Sequence, residues 1–539
     1  MLGASVATND KFPRMTSAAL FKDVMPTLQI DQQQVIVPEG ASVLDAARML
    51  GIDIPALCQR QGCKPNTSCL CCVVRVNGSK RLVPSCSTAA VQGMRVESQT
   101  PDVMGARRTA LELLLSDHAG DCQAPCQNVC PAHMDIPQMM RQIQTGQMHE
   151  ALLTVKEHIA LPAILGRICP ELCEKGCRRG LIDAPVSICQ LKRTVADADL
   201  FSPDPWLPPC APGIGKRVAI VGAGPAGLAA AWYLLQHGHA CVVLDEHEQP
   251  GGNLRYAIDP QRLPRNVLDA EIQLVRRLGA EFHPSVKLGA DVSLQELSQQ
   301  YDAVLLALGE LDARVAASLG LPVQGHRIQV DAQTMQTPLE KVFAAGAVVT
   351  PYRHAVRAVA AGRQAALSIG AFVRGSPLAP ASRFAVRLGV LSPSELEIFK
   401  SNAVSQPRQA PDMSGHSAEV ESTRCLSCDC AKTGHCALQR YAILYNAQPA
   451  HFRSTRREMT RNSEHPEIIY EPGKCIACGL CVQIAQNAVD PMGLAFVGRG
   501  FSVRVAAPLD AKFSQVLQKA AKQCADACPT GALSLRKPI

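Results

Sequence analysis

Apolar and polar residues alternate first along Thr27-Leu28-Gln29-Ile30-Asp31 and again along Gln34-Val35-Ile36-Val37, which predicts two short strands around a polar turn. Ser42 precedes Val43-Leu44-Asp45-Ala46-Ala47, a helix that runs to Leu50 with Ser42 as its cap. The pattern breaks at Lys64-Pro65-Asn66-Thr67-Ser68, too rich in turn formers for a helix. A buried strand is expected at Lys216-Arg217-Val218-Ala219-Ile220-Val221. It runs into a glycine-rich loop and an alanine- and leucine-rich helix up to Gly238. A second buried strand follows at Cys241-Val242-Val243-Leu244, and a later one over Tyr301-Asp302-Ala303-Val304-Leu305-Leu306-Ala307-Leu308-Gly309. Residues 376–420 are rich in Pro, Ser and Gln and read as a linker. No apolar run approaches the roughly 18 residues of a membrane helix. The first 27 residues lack the charged-then-apolar order of a signal peptide and read as a disordered leader or an over-long start.

The 539 residues suggest about three to five domains, and 47% hydrophobic content is enough for ordinary cores. What changes the picture is 24 cysteines, nearly all grouped at short spacings in five sets. In a long chain without a secretory signal, such sets read as metal sites in a reducing cytoplasm, whereas disulfide frameworks suit short secreted scaffolds. The formal charge of +7 counts every cysteine as neutral. Five clusters, two of them with one neutral ligand, bring roughly −8, so the loaded protein is near neutral and a nucleic-acid partner is not implied.

The first set is Cys58, Cys69, Cys72 and Cys86, spaced C-x10-C-x2-C-x13-C. With Leu82-Val83-Pro84-Ser85-Cys86-Ser87 and Gly93-Met94-Arg95-Val96 it resembles the 2Fe-2S ferredoxin domain of the large peripheral subunit of respiratory complex I and of iron-only hydrogenases. That resemblance implies a β-grasp domain over residues 28–100. Cys63 and Cys71 fall outside the pattern and read as packed thiols.

His118, Cys122, Cys126 and Cys130 follow at H-x3-C-x3-C-x3-C, then Cys169, Cys173, Cys177 and Cys189-Gln190. Ala163-Ile164-Leu165-Gly166-Arg167-Ile168-Cys169-Pro170-Glu171-Leu172-Cys173-Glu174 resembles the N-terminal domain of the glutamate synthase small subunit and dihydropyrimidine dehydrogenase. Asp135-Ile136-Pro137 and Pro185-Val186-Ser187-Ile188 do so too. The resemblance implies a helical domain over 105–200 with two 4Fe-4S clusters, one on Cys122, Cys126 and Cys177, the other on Cys130, Cys169 and Cys173. His118 stands where that family has a cysteine. A histidine so placed resembles the complex I cluster held by one histidine and three cysteines, and imidazole is an acceptable iron ligand. Gln190 and Cys189 are both candidates for the remaining ligand.

Gly222, Gly224 and Gly227 form G-x-G-x-x-G between strand and helix, and Asp245 ends the next strand 18 residues beyond Gly227. The glycines allow close approach to a pyrophosphate on the helix N-terminus, and an acid at that distance can bind ribose hydroxyls. Pro250-Gly251-Gly252-Asn253-Leu254-Arg255-Tyr256 and Arg262-Leu263-Pro264-Arg265 resemble the flavin side of the same glutamate synthase family. Its implied cofactor is FAD, not NAD, over residues 215–375, with Gly251, Gly252, Asn253, Arg255 and Gly346 among the binding positions. Family members insert an NADPH domain after the Gly309 strand. Here about 20 residues separate Gly309 from Val330-Asp331, too few for a βαβ unit of ~30, so the NADPH domain is expected to be missing. Ala347 stands where the family has an aspartate facing the flavin.

Cys425, Cys428, Cys430 and Cys436 follow at C-x2-C-x-C-x5-C, a set for a 4Fe-4S cluster or for zinc. Cys475, Cys478 and Cys481 with Cys528-Pro529 resemble a two-cluster bacterial ferredoxin that has lost one cluster. Ala485 replaces a ligand there and Cys524 alone remains of another run. The expected C-terminal ferredoxin-like domain covers 421–539 and holds one or two 4Fe-4S clusters.

The expected fold is multidomain, α/β and α+β. It comprises a β-grasp 2Fe-2S ferredoxin, a helical 4Fe-4S domain, a Rossmann-like FAD domain and a ferredoxin-like domain. No catalytic residue is read from the sequence. The expected function is a cytoplasmic electron-transfer subunit holding one 2Fe-2S cluster, about four 4Fe-4S clusters and FAD. It would wire a catalytic partner such as a hydrogenase or formate dehydrogenase to a second carrier, a ferredoxin or diaphorase subunit. A self-sufficient FAD-dependent NAD(P)H oxidoreductase and a cluster-bearing scaffold are the competing readings.

Overall fold

In the computed structural model, Ser42 accepts a hydrogen bond from Asp45 N while Asp45 accepts one from Ser42 N at 3.1 Å. This capping box starts helix Val43–Met49 where the sequence expects it. The structure describes residues 25–536 apart from 312–318, 352, 379–383, 385, 402, 410–412, 414 and 453–455. The expected leader therefore lies outside the described residues, apart from its last three.

Two units are distinguished by their internal contacts. One holds the described parts of Met1–Asp117, Cys436–Thr455 and Cys475–Thr530. Its five-stranded mixed sheet runs in the order Gln33–Ile36, Thr27–Ile30, Arg95–Glu97, Val73–Val76, Leu82–Pro84. Leu28 and Ile30 face helix residues Val43, Leu44, Ala46 and Ala47 in one core, because alternate strand residues share a face. Helices Leu480–Asn487 and Ala521–Ala527 pack together in the same unit, next in sequence to the hairpin Ala495–Val497 and Arg504–Ala506.

The other unit holds the described parts of His118–His435, Arg456–Lys474 and Gly531–Ile539. Its first part is helical: Ile136–Gln144, Met148–His158, Pro162–Ile168 and Ile188–Leu200 bury Met139, Leu152, Ile164 and Leu191. That core continues without a break into the next part through Trp232, Leu234 and Ile272. A parallel sheet follows, ordered Val342–Ala344, Ala303–Leu306, Arg217–Val221, Ala240–Leu244, Glu281–His283. The chain reverses its strand order between Arg217–Val221 and Ala303–Leu306, and ligands bind beyond the strand ends at such a switch point.

The stretch expected as a linker contains structure. Ser392 and Glu395 form a capping box on helix Pro393–Lys400. Glu395 then accepts from Arg456 Nη2 at 2.7 Å and Met459 N at 2.8 Å. A short capped helix with a buried carboxylate can hold its place despite a composition that reads as loop. The multidomain α/β architecture expected from the sequence is the one observed.

Candidate metal centres and dinucleotide site

All 24 cysteines are free thiols. In the first unit Cys58, Cys69, Cys72 and Cys86 are buried together, Cys58 and Cys69 with their sulfurs 3.4 Å apart. Hydrogen bonding from Cys69 and Cys86 lowers the Cys58 thiol, the larger part from Cys69. The loop between Cys58 and Cys69 turns through Thr67 at φ 54°, which keeps it from continuing as helix or strand. Cys71 is buried with Sγ donating to Cys69 O at 3.3 Å, while Cys63 is half-buried.

Cys475, Cys478, Cys481 and Cys528 also converge in the first unit. Burial pushes Cys478 up to about 12, and the thiols of Cys528, Cys475 and Cys58 add to it. Burial likewise raises Cys481, with Cys478, Cys528, Cys524 and Cys475 adding. Ala477 and Gly479 both take positive φ, which folds the C-x2-C-x2-C run back on itself before helix Leu480–Asn487. Cys524 Sγ donates to Cys481 O at 3.5 Å.

In the second unit thiols from separate sequence sets meet, and the expected neighbours Cys126 and Cys177 are joined by others. Burial first, then Cys425, Cys177 and Cys428, push the Cys126 thiol well above its ordinary range, so these four thiols lie together. Cys425 and Cys428 thus stand beside Cys177 of the helical part.

The physical reason is a buried network around Arg424, which is 1% exposed. It donates to Glu421 Oε1 at 3.0 Å, Asp183 Oδ1 at 2.9 Å and Ala184 O at 2.7 Å. Gln144 Nε2 donates to Ser422 O at 2.8 Å, and Arg141 pairs with Asp429 at 3.1 Å. None of these long-range partners can be read from cysteine spacing.

Cys122 keeps company with Cys430 instead. Cys430 N donates to Cys122 O, and Thr433 Oγ1 donates to the same carbonyl at 3.1 Å. Lys474 Nζ lies 3.8 Å from Cys430 Sγ and pairs with Glu471. A Cβ on Gly531 would come within 2.4 Å of Cys430 Sγ, so only glycine leaves the sulfur its place. His118 stands beside Lys474 and Glu471, and its buried Nδ1 has no hydrogen-bond partner among the described residues. Burial, then Lys474, lowers it to about 4, which keeps the imidazole neutral, the form that binds metal.

Cys130, Cys169 and Cys173 line a cavity with Lys192. The fourth thiol is that of Cys189, 3.9 Å from Cys173 and near enough to Cys169 to share a proton with it. It is thus Cys189, not Gln190, that meets these cysteines. Lys192 is 3% exposed and donates to Leu165 O at 3.3 Å. Burial would lower its pKa, yet the surrounding thiols Cys189, Cys169, Cys173 and Cys130 hold it raised. A buried ammonium needs a negative counterpart, which thiolates carrying a metal cluster supply. Among the described residues no three His, Cys, Asp or Glu side chains converge on a point that one metal ion would occupy. The donor set of soft, buried, unbridged thiols suits iron–sulfur clusters.

A cavity of about 540 Å³ opens at the switch point of the parallel sheet. Gly222, Gly224, Asp245, Asn253, Gly346 and Ala347 line it. A Cβ on Gly222 would meet Ala307 O at 2.3 Å, so the loop passes that strand end only as glycine. Gly227 lies on the first turn of helix Pro225–Gln236, whose N-terminus faces the cavity. Asp245 Oδ2 accepts from Ala223 N at 2.6 Å and Oδ1 from His247 N at 2.9 Å, so it also ties down the loop itself. Gly251 and Gly252 carry the turn that leads to Asn253 rather than lining the cavity. Arg255 is bound to Pro250 O at 2.7 Å and to Asp269. Sequence reasoning missed Arg353 and His354, which enter the cavity just before helix Ala355–Val373. Their signal was a basic pair ahead of an alanine-rich helical run.

Four family profiles match. Residues 24–101 match a 2Fe-2S iron-sulfur cluster binding domain, and 116–202 match dihydropyrimidine dehydrogenase domain II, a 4Fe-4S cluster domain. Residues 468–535 match a 4Fe-4S single cluster domain. Residues 220–282 match an NAD(P)-binding Rossmann-like domain. That last match corrects the expectation that the chain lacks a nicotinamide nucleotide domain and takes FAD to the exclusion of NAD. A dinucleotide fold of the NAD(P)-binding type is present, on the segment carrying Gly222, Gly224 and Gly227.

Among curated relatives, the NADP(+)-dependent formate dehydrogenase subunit beta of Moorella thermoacetica is 38% identical over 208 residues, 34% of this chain and 29% of that protein. The NADPH-Fe(3+) oxidoreductase subunit beta of Geobacter sulfurreducens is 40% identical over 189 residues, 34% of this chain and 28% of that one. The NAD-dependent dihydropyrimidine dehydrogenase subunit PreT of Escherichia coli (strain K12) is 36% identical over 205 residues, 38% and 48% of the two chains. The chain thus spans less than a third of the length of the first two relatives. It carries one 2Fe-2S and two 4Fe-4S binding domains beside a Rossmann-like domain. No helix among the described residues is long and apolar enough to cross a membrane.

Proposed function

We propose that the chain is an electron-transfer subunit of an oxidoreductase complex, relaying electrons between a catalytic partner and a second carrier. The observation that carries this reading is the gathering of buried thiol sets and a dinucleotide cavity on one chain. Five clusters account for these sets. The 2Fe-2S cluster takes Cys58, Cys69, Cys72 and Cys86. Three 4Fe-4S clusters take Cys475, Cys478, Cys481 and Cys528; Cys130, Cys169, Cys173 and Cys189; and Cys126, Cys177, Cys425 and Cys428. A fourth uses His118, Cys122 and Cys430. Thiolate clusters pass one electron at a time, and a flavin exchanges one or two.

The resident dinucleotide is FAD in this reading. The 540 Å³ cavity, the glycine loop at a helix N-terminus and the basic Arg353–His354 entry support a pyrophosphate-bearing ligand. The partner is a hydrogenase, a formate dehydrogenase or a similar enzyme, with a ferredoxin or diaphorase subunit on the other side. Free thiols throughout support a cytoplasmic setting. The match to an NAD(P)-binding domain favours one second reading, in which the chain itself oxidises NADH or NADPH.

The test is anaerobic purification with iron analysis, identification of the extracted dinucleotide, and EPR after dithionite, NADH or NADPH. About 18 irons per chain, FAD, and reversible reduction by dithionite support the relay. Rapid reduction by a nicotinamide gives the second reading the lead. Clusters that do not reduce and reoxidise reversibly overturn both and leave a scaffold.

A further inference from the structure

Within the first unit, the loop between Cys58 and Cys69 is fastened to the segment that bears Cys478 and Cys481. Asn66 Nδ2 donates to the backbone carbonyl of Cys478 at 3.2 Å. Lys64 N donates to Gln483 Oε1 at 2.8 Å, and Gln483 Nε2 returns a bond to Lys64 O at 3.0 Å. Asn487 Nδ2 reaches Gly62 O at 3.4 Å. Three positions of one loop thus grip a single helix and the turn before it. Asn66 stands three residues before Cys69. Gly479, next to Cys478, has no side chain, and a Cβ there would press on Asn66 Nδ2 at 3.0 Å.

We propose that this contact is a direct electron junction between the Cys58–Cys86 and Cys475–Cys528 sites, with Asn66 and Gln483 as the residues that set its distance. The inference rests on the proposed function, since it presumes that both sites hold clusters. The step is a one-electron exchange. The reduced cluster of one site loses an electron, the oxidised cluster of the other gains it, and no bond breaks and no proton moves. The Asn66 amide and the Cys478 peptide give a path of one hydrogen bond between the two ligand loops. Hydrogen bonds to a ligand's own backbone also hold its orientation. The partner's electrons enter or leave at one of these sites and need not cross to the second unit to reach the other.

The experiment uses the full anaerobic chain reduced with dithionite, so that both sites carry a spin. The measurement is microwave power saturation of the 2Fe-2S EPR signal at temperatures where the 4Fe-4S cluster relaxes fast. In the unaltered protein the 2Fe-2S signal should be hard to saturate and broadened by its neighbour. In Cys478→Ser, which removes a thiolate ligand of the neighbour, the same signal should sharpen and saturate at several-fold lower power. In Asn66→Ala with Gln483→Ala, both clusters should remain by iron content. Electron exchange after a sub-stoichiometric pulse of reductant should slow several-fold. A 2Fe-2S signal that saturates identically in the unaltered protein and in Cys478→Ser overturns the junction. So does an unchanged exchange rate in the double variant. A preparation in which neither site yields a reducible cluster removes the function reading itself, a separate outcome visible in the iron analysis.

Discussion

Glu271 offers the most direct check on how the nucleotide fold supports the metal sites. It lies on helix Arg265–Arg277, is 3% exposed, and accepts from Ala163 N and Ile164 N at 2.8 Å each, one amide per oxygen. These amides open helix Pro162–Ile168, and that helix ends on Cys169. Glu271→Ala leaves two buried donors without partners, a loss of about 1–3 kcal/mol each. Glu271→Gln keeps one acceptor and turns an NH2 on the other amide, so it should cost less than the alanine but still destabilise.

The pH dependence gives a sharper test. Burial pushes the Glu271 carboxyl up to about 7, while the two amides pull it down. A raised pKa means that the folded protein holds the proton more tightly than the unfolded chain. The resulting stability is complete below about 4.5 and is lost as the pH rises through 7. At 1.36 kcal/mol per unit this amounts to ~3 kcal/mol across the window. Glutamine has no such term. The stability of the unaltered chain relative to Glu271→Gln should therefore fall between pH 5 and pH 8. Anaerobic thermal melts followed by circular dichroism at four pH values measure it. A difference that stays flat or grows with pH would show the amides outweighing burial and refute the reasoning.

Lys192→Met should lower the midpoint potential of the cluster on Cys130, Cys169, Cys173 and Cys189. A unit charge at ~6 Å and an effective dielectric of ~20 gives a shift on the order of 100 mV, read by EPR-monitored redox titration. Arg424→Met removes one partner from a buried ion-pair network, which costs about 3–5 kcal/mol and should strip about four irons with the loss of the Cys126–Cys428 site. Iron retained in full would count against that grouping. Gly222→Ala should empty the dinucleotide cavity without changing the iron content, because its Cβ meets Ala307 O while the thiol sets lie elsewhere. Extraction and quantitation of the bound dinucleotide decides it.

Local chemistry was legible in the sequence. The Ser42 cap, the strand–glycine loop–helix at Arg217–Gln236 and the C-x2-C-x2-C run are all written in neighbouring residues, where spacing alone dictates geometry. The pairing of distant pieces was not legible. Cys425 and Cys428 reach Cys126 and Cys177 through Arg424, Asp183 and Glu421, and no periodicity reports an ion pair between residues 183 and 424. Cys189 and Gln190 are equivalent by sequence position. They part only because helix Ile188–Leu200 turns the cysteine toward Cys173. The linker misled for the opposite reason: Pro393 reads as a breaker, yet proline at the first helical position after a serine cap starts a helix.

Cys177 and Cys425 stand on either side of the entire nucleotide-binding fold, which gives their shared site a consequence in time. During synthesis the first two thiols emerge some 250 residues before the last two. At ~5–20 residues per second that is a wait of roughly 12 to 50 s with half a ligand set in place. On the proposed ligand set a cluster there waits for Cys425 and Cys428, which follow every strand of the parallel sheet. Any arrest or misfolding of the intervening domain is then recorded as a missing cofactor rather than as a broken fold. Metal loading at this one position then reports that every strand of the parallel sheet has been made.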